Sequence, residues 1–428
     1  MIEADHVTIS SINQRSACDS RTGLVAAGQS LHRIGSDKGY IDCSAIVQES
    51  TSNYGDVLAC AGFSNGCDDG FAAIFLPRES GSVPQLRWFG VDGIESPEDS
   101  AALLPPERFS SILVLAVAPI GNLALIVGSD GEPFAYARGE SQATTPPPLW
   151  LPIRPSPSPV LALSFELNGG KFRIGHWTAL GTLNGTLCLA HSTTEGSEVK
   201  TLTTQFDGPI SALLLHASSD HSNASHAVVG GAQGWVAIVR LPGDSTMLNS
   251  SGSSESTVVS SHGYDESTSS ELAIELVHRD LGAAVTALTL HDVQLAGRLE
   301  VIAGTASGRV VALDVGTALG KEAPTLKSES NASPVDSSAG KDRRSHNLFS
   351  DKSINTAMVW ERDTLQPVHG LASLGCSPSH GLPEIMLITA DGASLYAPAP
   401  SVVAKKVAVV AELAERLTSL RQEARGRI

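Results

Sequence analysis

The chain has 428 residues, of which 42% are hydrophobic, 17% charged and 5% aromatic, with 40 glycines and 23 prolines. This apolar content supports a large core, and the glycines and prolines indicate many turns. The formal charge of −16 argues against nucleic acid or an anionic membrane surface as the main partner.

Targeting and metal signals are weak. Residues 1–20 lack a basic segment followed by an apolar one, so we expect no signal peptide. No apolar run of 18 or more residues predicts a transmembrane helix, and we expect a cytoplasmic protein without membrane insertion. The six cysteines form no C-x-x-C pair, which disfavours zinc and indicates free thiols.

A short motif recurs along the chain: an aliphatic strand, a glycine-containing turn and a second aliphatic strand. β-Branched and aliphatic residues suit a pleated, half-buried surface, and glycine permits the tight reversal between them. The seven copies lie at 23–35, 56–76, 122–137, 177–191, 226–241, 300–314 and 384–397.

Five of these copies have a further predicted strand upstream, at 110–119, 159–167, 209–217, 284–292 and 367–375. Units with three or four short strands are typical of propeller blades, which bury both sheet faces only when they stack in a ring. We therefore predict an all-β fold, a seven-bladed β-propeller over residues 1–400. A pair of β-sandwiches is the alternative, but seven similar units fit it poorly.

Two segments interrupt the repeat. Residues 243–271 are rich in serine and threonine, and residues 316–352 mix lysine, serine, aspartate and glycine. Neither contains enough apolar residues to offset the entropy lost on ordering. We predict that both are disordered insertions at the surface.

The C-terminal segment, 401–428, has a different pattern. Its apolar residues recur every three or four positions, which predicts an amphipathic α-helix: Val403, Val407, Val410, Leu413, Leu417 and Leu420. The stripe has two interpretations, packing against the chain's own propeller or insertion into a groove of a partner. Val410, Leu413, Leu417 and Leu420 are the candidate partner-binding residues.

Signals for catalysis are few. The sequence GFSNG at 62–66 matches G-x-S-x-G, but a nucleophile elbow needs a helix after the serine, and here a β-type run follows. His216, His221 and His226 are five residues apart and share no helix face, so we expect a surface loop rather than a metal site. No catalytic residues are predicted.

Residues 292–300, DVQLAGRLE, are similar to the D-x-D-x-D-G-x-x-E calcium loop of FG-GAP propeller blades. Asp292, Gly297 and Glu300 keep the pattern, but Gln294 and Ala296 replace the other two acids. A hard cation needs several oxygen ligands at close range. We therefore expect a turn of this shape that binds no calcium, and no metal is predicted.

The order of these units resembles the kaptin family of propeller proteins. The resemblance is carried by 180–191 (LGTLNGTLCLAH), 206–211 (FDGPIS), 297–314, and 358–362 (MVWER) leading to 382–397, followed by the terminal helix. It is best from about Trp177 onward. The large insertions and the missing calcium-loop acids depart from the family pattern.

This resemblance implies a non-enzymatic scaffold without cofactors. Kaptin-like proteins act with the other subunits of the KICSTOR complex, which recruits GATOR to the lysosome and restrains the TOR kinase when nutrients are scarce. The implied location is cytoplasmic, with peripheral association to lysosome or vacuole through partners. One alternative is an actin-filament-associated protein, although an acidic chain is poorly suited to acidic filaments. Another is a hydrolase with a site in the central channel, involving Ser64.

Overall fold

A computed structural model describes much of the chain. The described residues are 1–8, 18–19, 24–27, 30–35, 42–47, 54–63, 70–77, 83–90, 94–104, 112–117, 123–128, 132–140, 158–165, 177–192, 199–217, 224–242, 272, 274–278, 280–315, 357–376 and 382–425. The insertions predicted at 243–271 and 316–352 lie outside them.

Almost all regular structure in these residues is β-strand. The strands are β1 (Ile2–Thr8), β2 (Cys18–Asp19), β3 (Leu24–Ala27), β4 (Ser30–Gly35), β5 (Asp42–Val47), β6 (Tyr54–Phe63), β7 (Gly70–Pro77), β8 (Gln85–Gly90), β9 (Ala101–Ala102), β10 (Ile112–Val117), β11 (Leu123–Gly128), β12 (Pro133–Ala137), β13 (Val160–Phe165), β14 (Trp177–Thr182), β15 (Thr186–Ser192), β16 (Val199–Gln205), β17 (Ile210–Ala217), β18 (Ala224–Gly231), β19 (Val236–Arg240), β20 (Ile274–His278), β21 (Val285–His291), β22 (Glu300–Thr305), β23 (Arg309–Leu313), β24 (Met358–Asp363), β25 (Val368–Cys376), β26 (Pro383–Thr389) and β27 (Gly392–Ala397). A 3₁₀ turn spans Pro97–Asp99, and helix α1 spans Pro400–Arg425.

Neighbouring strands pair antiparallel into separate small sheets, in the orders β2-β3-β4-β5, β6-β7-β8-β9, β10-β11-β12, β13-β14-β15-β16, β17-β18-β19-β20, β21-β22-β23-β24 and β25-β26-β27-β1. The first strand of one sheet packs beside the first strand of the next, as β13, β17, β21 and β25 do in succession. This is a β-propeller arrangement, in which small antiparallel sheets pack side by side as blades.

The number of blades established is smaller than predicted. The structure establishes five blades, whereas the sequence predicts seven. The sheet of β10, β11 and β12 has three strands in the described residues, and the side chains of β2 to β5 are not described. The described residues thus confirm the propeller and the terminal helix, but not the full blade count.

The repeated sequence units coincide with strand pairs. Six of the seven, including 300–314 (β22 and β23), form the second and third strands of their sheets. The unit at 56–76 instead forms the first and second strands, β6 and β7. All five predicted upstream strands are present, as β10, β13, β17, β21 and β25.

The first and last strands lie in one sheet. Strand β1 is the outermost strand beside β27, with Ile2 opposite Ala397 and Thr8 opposite Gly392. The N-terminal strand therefore completes the blade formed by the last three strands. The repeat pattern did not predict this pairing.

The hydrophobic core lies between adjacent sheets. One cluster joins Val236 and Ile238 of β19 to Val301 of β22 and to Val311 and Leu313 of β23, all fully or almost fully buried. Strands buried on both faces, such as β22 and β23, have nearly continuous apolar sequences.

The spacing between blades depends on glycines in the second strands. A Cβ on Gly230 would lie 2.6 Å from Val285 Cγ1, and a Cβ on Gly304 would lie 2.5 Å from Val368 Cγ1. Val285 and Val368 are the first residues of the next blades' first strands. Glycine thus leaves the space into which the neighbouring blade packs.

Hydroxyl groups beside these contacts link the same blades. Ser211 Oγ donates to the carbonyl oxygen of Val285 at 2.7 Å, and Thr286 Oγ1 donates to that of Val368 at 2.7 Å. The two first strands concerned have a register shift at this point, between Ile210 and Ala212 in β17 and between Val285 and Ala287 in β21. The bulge therefore brings a polar side chain to the next blade's backbone.

The strand order defines two faces. First and third strands end on the same side of the propeller, which we call the lower face. The loop 292–299 lies there, because it follows a first strand. In chain order, both predicted insertions fall between a third strand and a fourth. Helix α1 follows the third strand β27 and leaves the propeller from this face.

Candidate functional site

The calcium-like loop between β21 and β22 is closed by its own backbone. Asp292 accepts hydrogen bonds from two amides, from Ala296 N at Oδ1 and from Gly297 N at Oδ2, both at 2.7 Å. Gly297 has φ +74°, and Leu295 has φ +51°. Glycine adopts this left-handed conformation without steric cost, which accounts for the glycine retained in the sequence pattern.

Glu300 holds the other side of the loop. It is fully buried, and its Oε2 accepts the amide of Val293 at 2.8 Å while Oε1 accepts the side-chain amide of Gln294 at 3.2 Å. Burial raises the pKa of Glu300, and the hydrogen bond from Val293 N opposes this increase. Both acids of the pattern are therefore engaged by N–H donors.

An ion pair joins the loop to the next strand end. Arg298 donates to Asp314 Oδ2 at 2.9 Å, and the arginine side chain is partly exposed. Among the residues that the structure describes, no three His, Cys, Asp or Glu side chains are grouped so that they could hold a metal ion. What this loop presents to solvent is a compact, hydrogen-bonded surface.

A buried histidine connects this loop to the next blade. His291, only 2% exposed, lies opposite Glu300 in the strand register, and its Nδ1 is 2.9 Å from Ser373 Oγ of β25. Burial lowers the pKa of His291 to about 4, although Asp292 and the Pro383 carbonyl favour the protonated form. At neutral pH the imidazole is uncharged and serves the contact between blades.

Two of the three spaced histidines lie in strands, so the prediction of a surface loop is wrong for them. His216 and His226 are register partners on β17 and β18, and His226 is buried with its Nδ1 2.8 Å from Ser225 Oγ. Burial and the nearby His216 and Arg240 lower the pKa of His226 to about 4. His221 lies outside the described residues.

The buried polar positions correspond from blade to blade. His226, Glu300 and Glu384 occupy the matching place near the start of β18, β22 and β26, at the lower face. All three are less than a tenth exposed. An alignment of the strands could have revealed this similarity, because each of the three residues lies five positions before the end of its second strand.

Only part of the G-x-S-x-G motif can be placed. Gly62 lies near the end of β6, and Ser64 is outside the described residues. The next described element is strand β7, as the sequence predicted, whereas a nucleophile elbow requires a helix after the serine.

The apolar stripe of α1 faces solvent. The helix has 26 residues, and Val402, Val403 and Lys406 in its first turns are half-buried. From Val407 to Arg421 every residue is exposed. The four candidate partner-binding residues, Val410, Leu413, Leu417 and Leu420, are between 51% and 64% exposed. The helix therefore extends away from the described propeller.

Comparison with protein-family models finds none that matches the chain, and no curated protein matches it either. Within the described part of the chain, no helix has the length and apolar character needed to cross a membrane.

Proposed function

We propose that this chain is a non-enzymatic scaffold, built as a seven-bladed propeller with a helical docking arm. Seven sequence units and the succession of packed first strands support the blade count. The exposed apolar stripe of α1 is the observation that supports this function. Exposing four large aliphatic side chains to water is unfavourable in free energy, and a partner that buries them would remove this penalty.

The kaptin-like order of units gives this scaffold a particular role. In that role the chain is a subunit of a KICSTOR-type complex that recruits GATOR to the lysosome or vacuole and restrains TOR kinase signalling during nutrient shortage. In this role, α1 is the element that binds the other subunits of the complex. The closed loop at 292–300 fits a blade that provides shape and surface without calcium.

Affinity purification with mass spectrometry tests the proposal. Full-length chain, a chain ending at Pro400 and the variant L413E/L417E are expressed at matched levels. We expect KICSTOR-type subunits and GATOR with the full chain, and loss of these proteins from the other two samples.

The matched control is E412Q/E415Q, which changes two exposed side chains on the opposite side of the same helix. It should retain the partners. Recovery of the same partners by the chain ending at Pro400 would assign binding to the propeller, and recovery of none by the full chain would overturn the proposed complex.

A further inference from the structure

The exposed part of α1 has apolar side chains at the spacing of a helix-pairing seam. Val410, Leu413, Leu417 and Leu420 are separated by three, four and three positions, as are the a and d residues of two heptads. All four are more than half exposed, so no described part of the chain covers them. We call these four residues the seam, and its spacing fits a second helix.

Two arginines border the seam, one on each side. Arg416 occupies a g position and Arg421 an e position, and both side chains are exposed. The remaining e and g positions along the seam hold the uncharged residues Val409 and Ala414. Among the side chains that the structure describes, no carboxylate forms an ion pair with either guanidinium. Both edges of the seam are therefore positively charged.

These charges disfavour a second copy of α1 as the helix that covers the seam. Parallel pairing would place Arg416 beside Arg421 of the second copy, and antiparallel pairing over the whole seam would place Arg416 beside its own counterpart. Charges at e and g positions determine which helices pair, and like charges brought together are unfavourable. A helix with carboxylates at its own e and g positions would instead be attracted at both edges.

The rest of the charge distribution argues against an anionic membrane surface. Helices that lie on such membranes have a polar face rich in lysine and arginine, whereas Glu412 and Glu415 lie on the side of α1 opposite the seam. Helix α1 has five basic and three acidic residues, a net charge of +2, and the whole chain has −16, so the rest has −18. An anionic surface would repel that acidic body.

The acidic body has much less effect on a partner helix at the seam. Leu417 lies eleven residues beyond Lys406, the last half-buried residue among those of α1 whose burial is described. At about 1.5 Å per residue this separation is roughly 16 Å, about twice the Debye length of about 8 Å in physiological salt. The two arginines therefore determine the local charge that a partner meets.

We propose that the seam pairs with one helix of a partner protein, and that this helix has glutamate or aspartate at the positions that flank its own apolar contacts. The proposal rests on the proposed function, in which α1 binds other subunits, and specifies the chemistry of the surface that α1 recognises. Because the contact spans only about two heptads, its specificity depends on the charged edges as well as on apolar burial.

Fluorescence anisotropy of two labelled peptides with the purified full chain tests this recognition. Each peptide has about four heptads with isoleucine at a and leucine at d, and either glutamate or lysine at every e and g position, so that like charges oppose its self-pairing. We expect the glutamate peptide to bind about tenfold more tightly than the lysine peptide. R416E/R421E should reverse this preference. L417E should lose both peptides, while thermal unfolding shows that the variant remains folded.

The matched control is E415K, which changes the charge by the same amount as R416E but on the side of the helix opposite the seam. It should bind both peptides as the wild type does, whereas R416E alone should reduce the preference for the glutamate peptide. Tighter binding of the glutamate peptide by E415K would show that net charge, rather than the edges of the seam, selects the peptide, and would overturn the proposal.

Other occupants of the seam give different results. Equal affinity for the two peptides, tighter binding of the lysine peptide, or binding of neither overturns the proposal. So does a dimer in sedimentation velocity that is lost in L417E, which would assign the seam to a second copy. Cosedimentation with vesicles of phosphatidylcholine and phosphatidylserine, lost in L417E, would assign it to a membrane and overturn the proposal too.

Failure of this proposal is distinguishable from failure of the proposed function. If neither peptide binds but the full chain recovers KICSTOR-type subunits that L413E/L417E does not, the proposed function stands and the acidic partner helix is wrong. If the glutamate peptide binds as expected but no such subunit is recovered, the chemistry of the seam is correct and the proposed complex is wrong.

Discussion

Val368 packs into the space left by the missing side chain of Gly304. These residues belong to consecutive blades, and a Cβ on Gly304 would lie 2.5 Å from Val368 Cγ1 and 3.0 Å from its Cβ. Thr286 Oγ1 spans the same junction, with the carbonyl oxygen of Val368 at 2.7 Å and that of Gly304 at 3.2 Å. Packing and hydrogen bonding thus hold these two blades together at one point.

This contact predicts that G304A destabilises the propeller through steric overlap. We expect a loss of about 1–3 kcal/mol in the free energy of unfolding, the usual cost of overpacking. V368A alone should also destabilise, by removing buried methyl groups. In G304A/V368A the smaller side chain makes room for the new methyl group, so the loss should be less than the sum of the single losses. Denaturant unfolding of all four proteins gives the coupling, and strictly additive losses would contradict the contact.

The carboxylates of the 292–300 loop predict that it responds little to calcium. Asp292 and Glu300 already accept three backbone amides, those of Ala296, Gly297 and Val293. The melting temperature in millimolar CaCl₂ should therefore equal the melting temperature in the same concentration of MgCl₂. A calcium-specific increase that disappears in D292N would show that the loop opens to bind the ion.

Replacing Glu300 tests its structural role separately. E300A leaves the buried amide of Val293 without its acceptor, and we expect a loss of about 1–3 kcal/mol in stability. E300Q retains an acceptor oxygen and should cost less. Chemical unfolding measures both variants. If E300A and E300Q were equally stable, a hydrogen-bond acceptor at this position would not contribute to the stability of the loop.

Buried histidines predict that stability falls on acidification. The folded-state pKa of His291 and of His226 is about 4, below the usual histidine value of 6.5. The unfolded chain therefore binds protons first, so the contribution of each neutral imidazole is complete above about pH 6.5 and is lost as the pH falls towards 4. The raised pKa of Glu300 acts in the opposite direction at the acidic end, because the folded state then binds that proton more readily.

Melting temperatures between pH 7.5 and 4.5 measure this loss. H291N places an amide near the position of Nδ1 and keeps a partner for Ser373, but it cannot be protonated in this range. Its melting temperature should fall less steeply with pH than that of the wild type. The control is H369N, at a partly exposed histidine. The melting temperature of H369N should change with pH more nearly as that of the wild type does.

The sequence predicted those elements that depend on local patterns. Strands such as β22 and β23 were evident because aliphatic runs flank a glycine turn, and α1 because its apolar residues recur at helical spacing. Pairing of β1 with β27 was not predictable in this way, since the two strands are separated by almost the whole chain and local periodicity does not specify distant partners.

The candidate site was also only partly predictable. The missing acids at Gln294 and Ala296 weakened the calcium interpretation, but the backbone amides that donate to Asp292 and Glu300 are invisible in a residue pattern. His216 and His226 were assigned to a loop, but they are register partners on β17 and β18, and His226 is buried. The sequence could not show that the α1 stripe is exposed, because packing on the propeller and binding to a partner both predict the same helical periodicity.

Pairing of β1 with β27 predicts that a disulfide can lock the blade to which the first and last strands belong. Val7 and Ala393 are register partners, and paired residues in antiparallel strands have Cα atoms within the range that a disulfide spans. Oxidised V7C/A393C should melt at a higher temperature than its reduced form, because the bridge closes a loop of nearly the whole chain. V7C/L395C, two residues out of register, is the control and should form little intramolecular disulfide. Equal bridging of both pairs would contradict this register.

The exposed stripe of α1 predicts that the propeller is stable without most of this helix. Leu413 and Leu417 are 57% and 51% exposed, so L413E/L417E removes little buried apolar surface. We expect the melting temperature of this variant to remain within about 2 °C of the wild type, since exposed substitutions usually change stability by no more than about 0.5 kcal/mol. V403E, in the half-buried first turns, should lower it more. A larger loss from L413E/L417E would show that the helix packs back on its own propeller in solution.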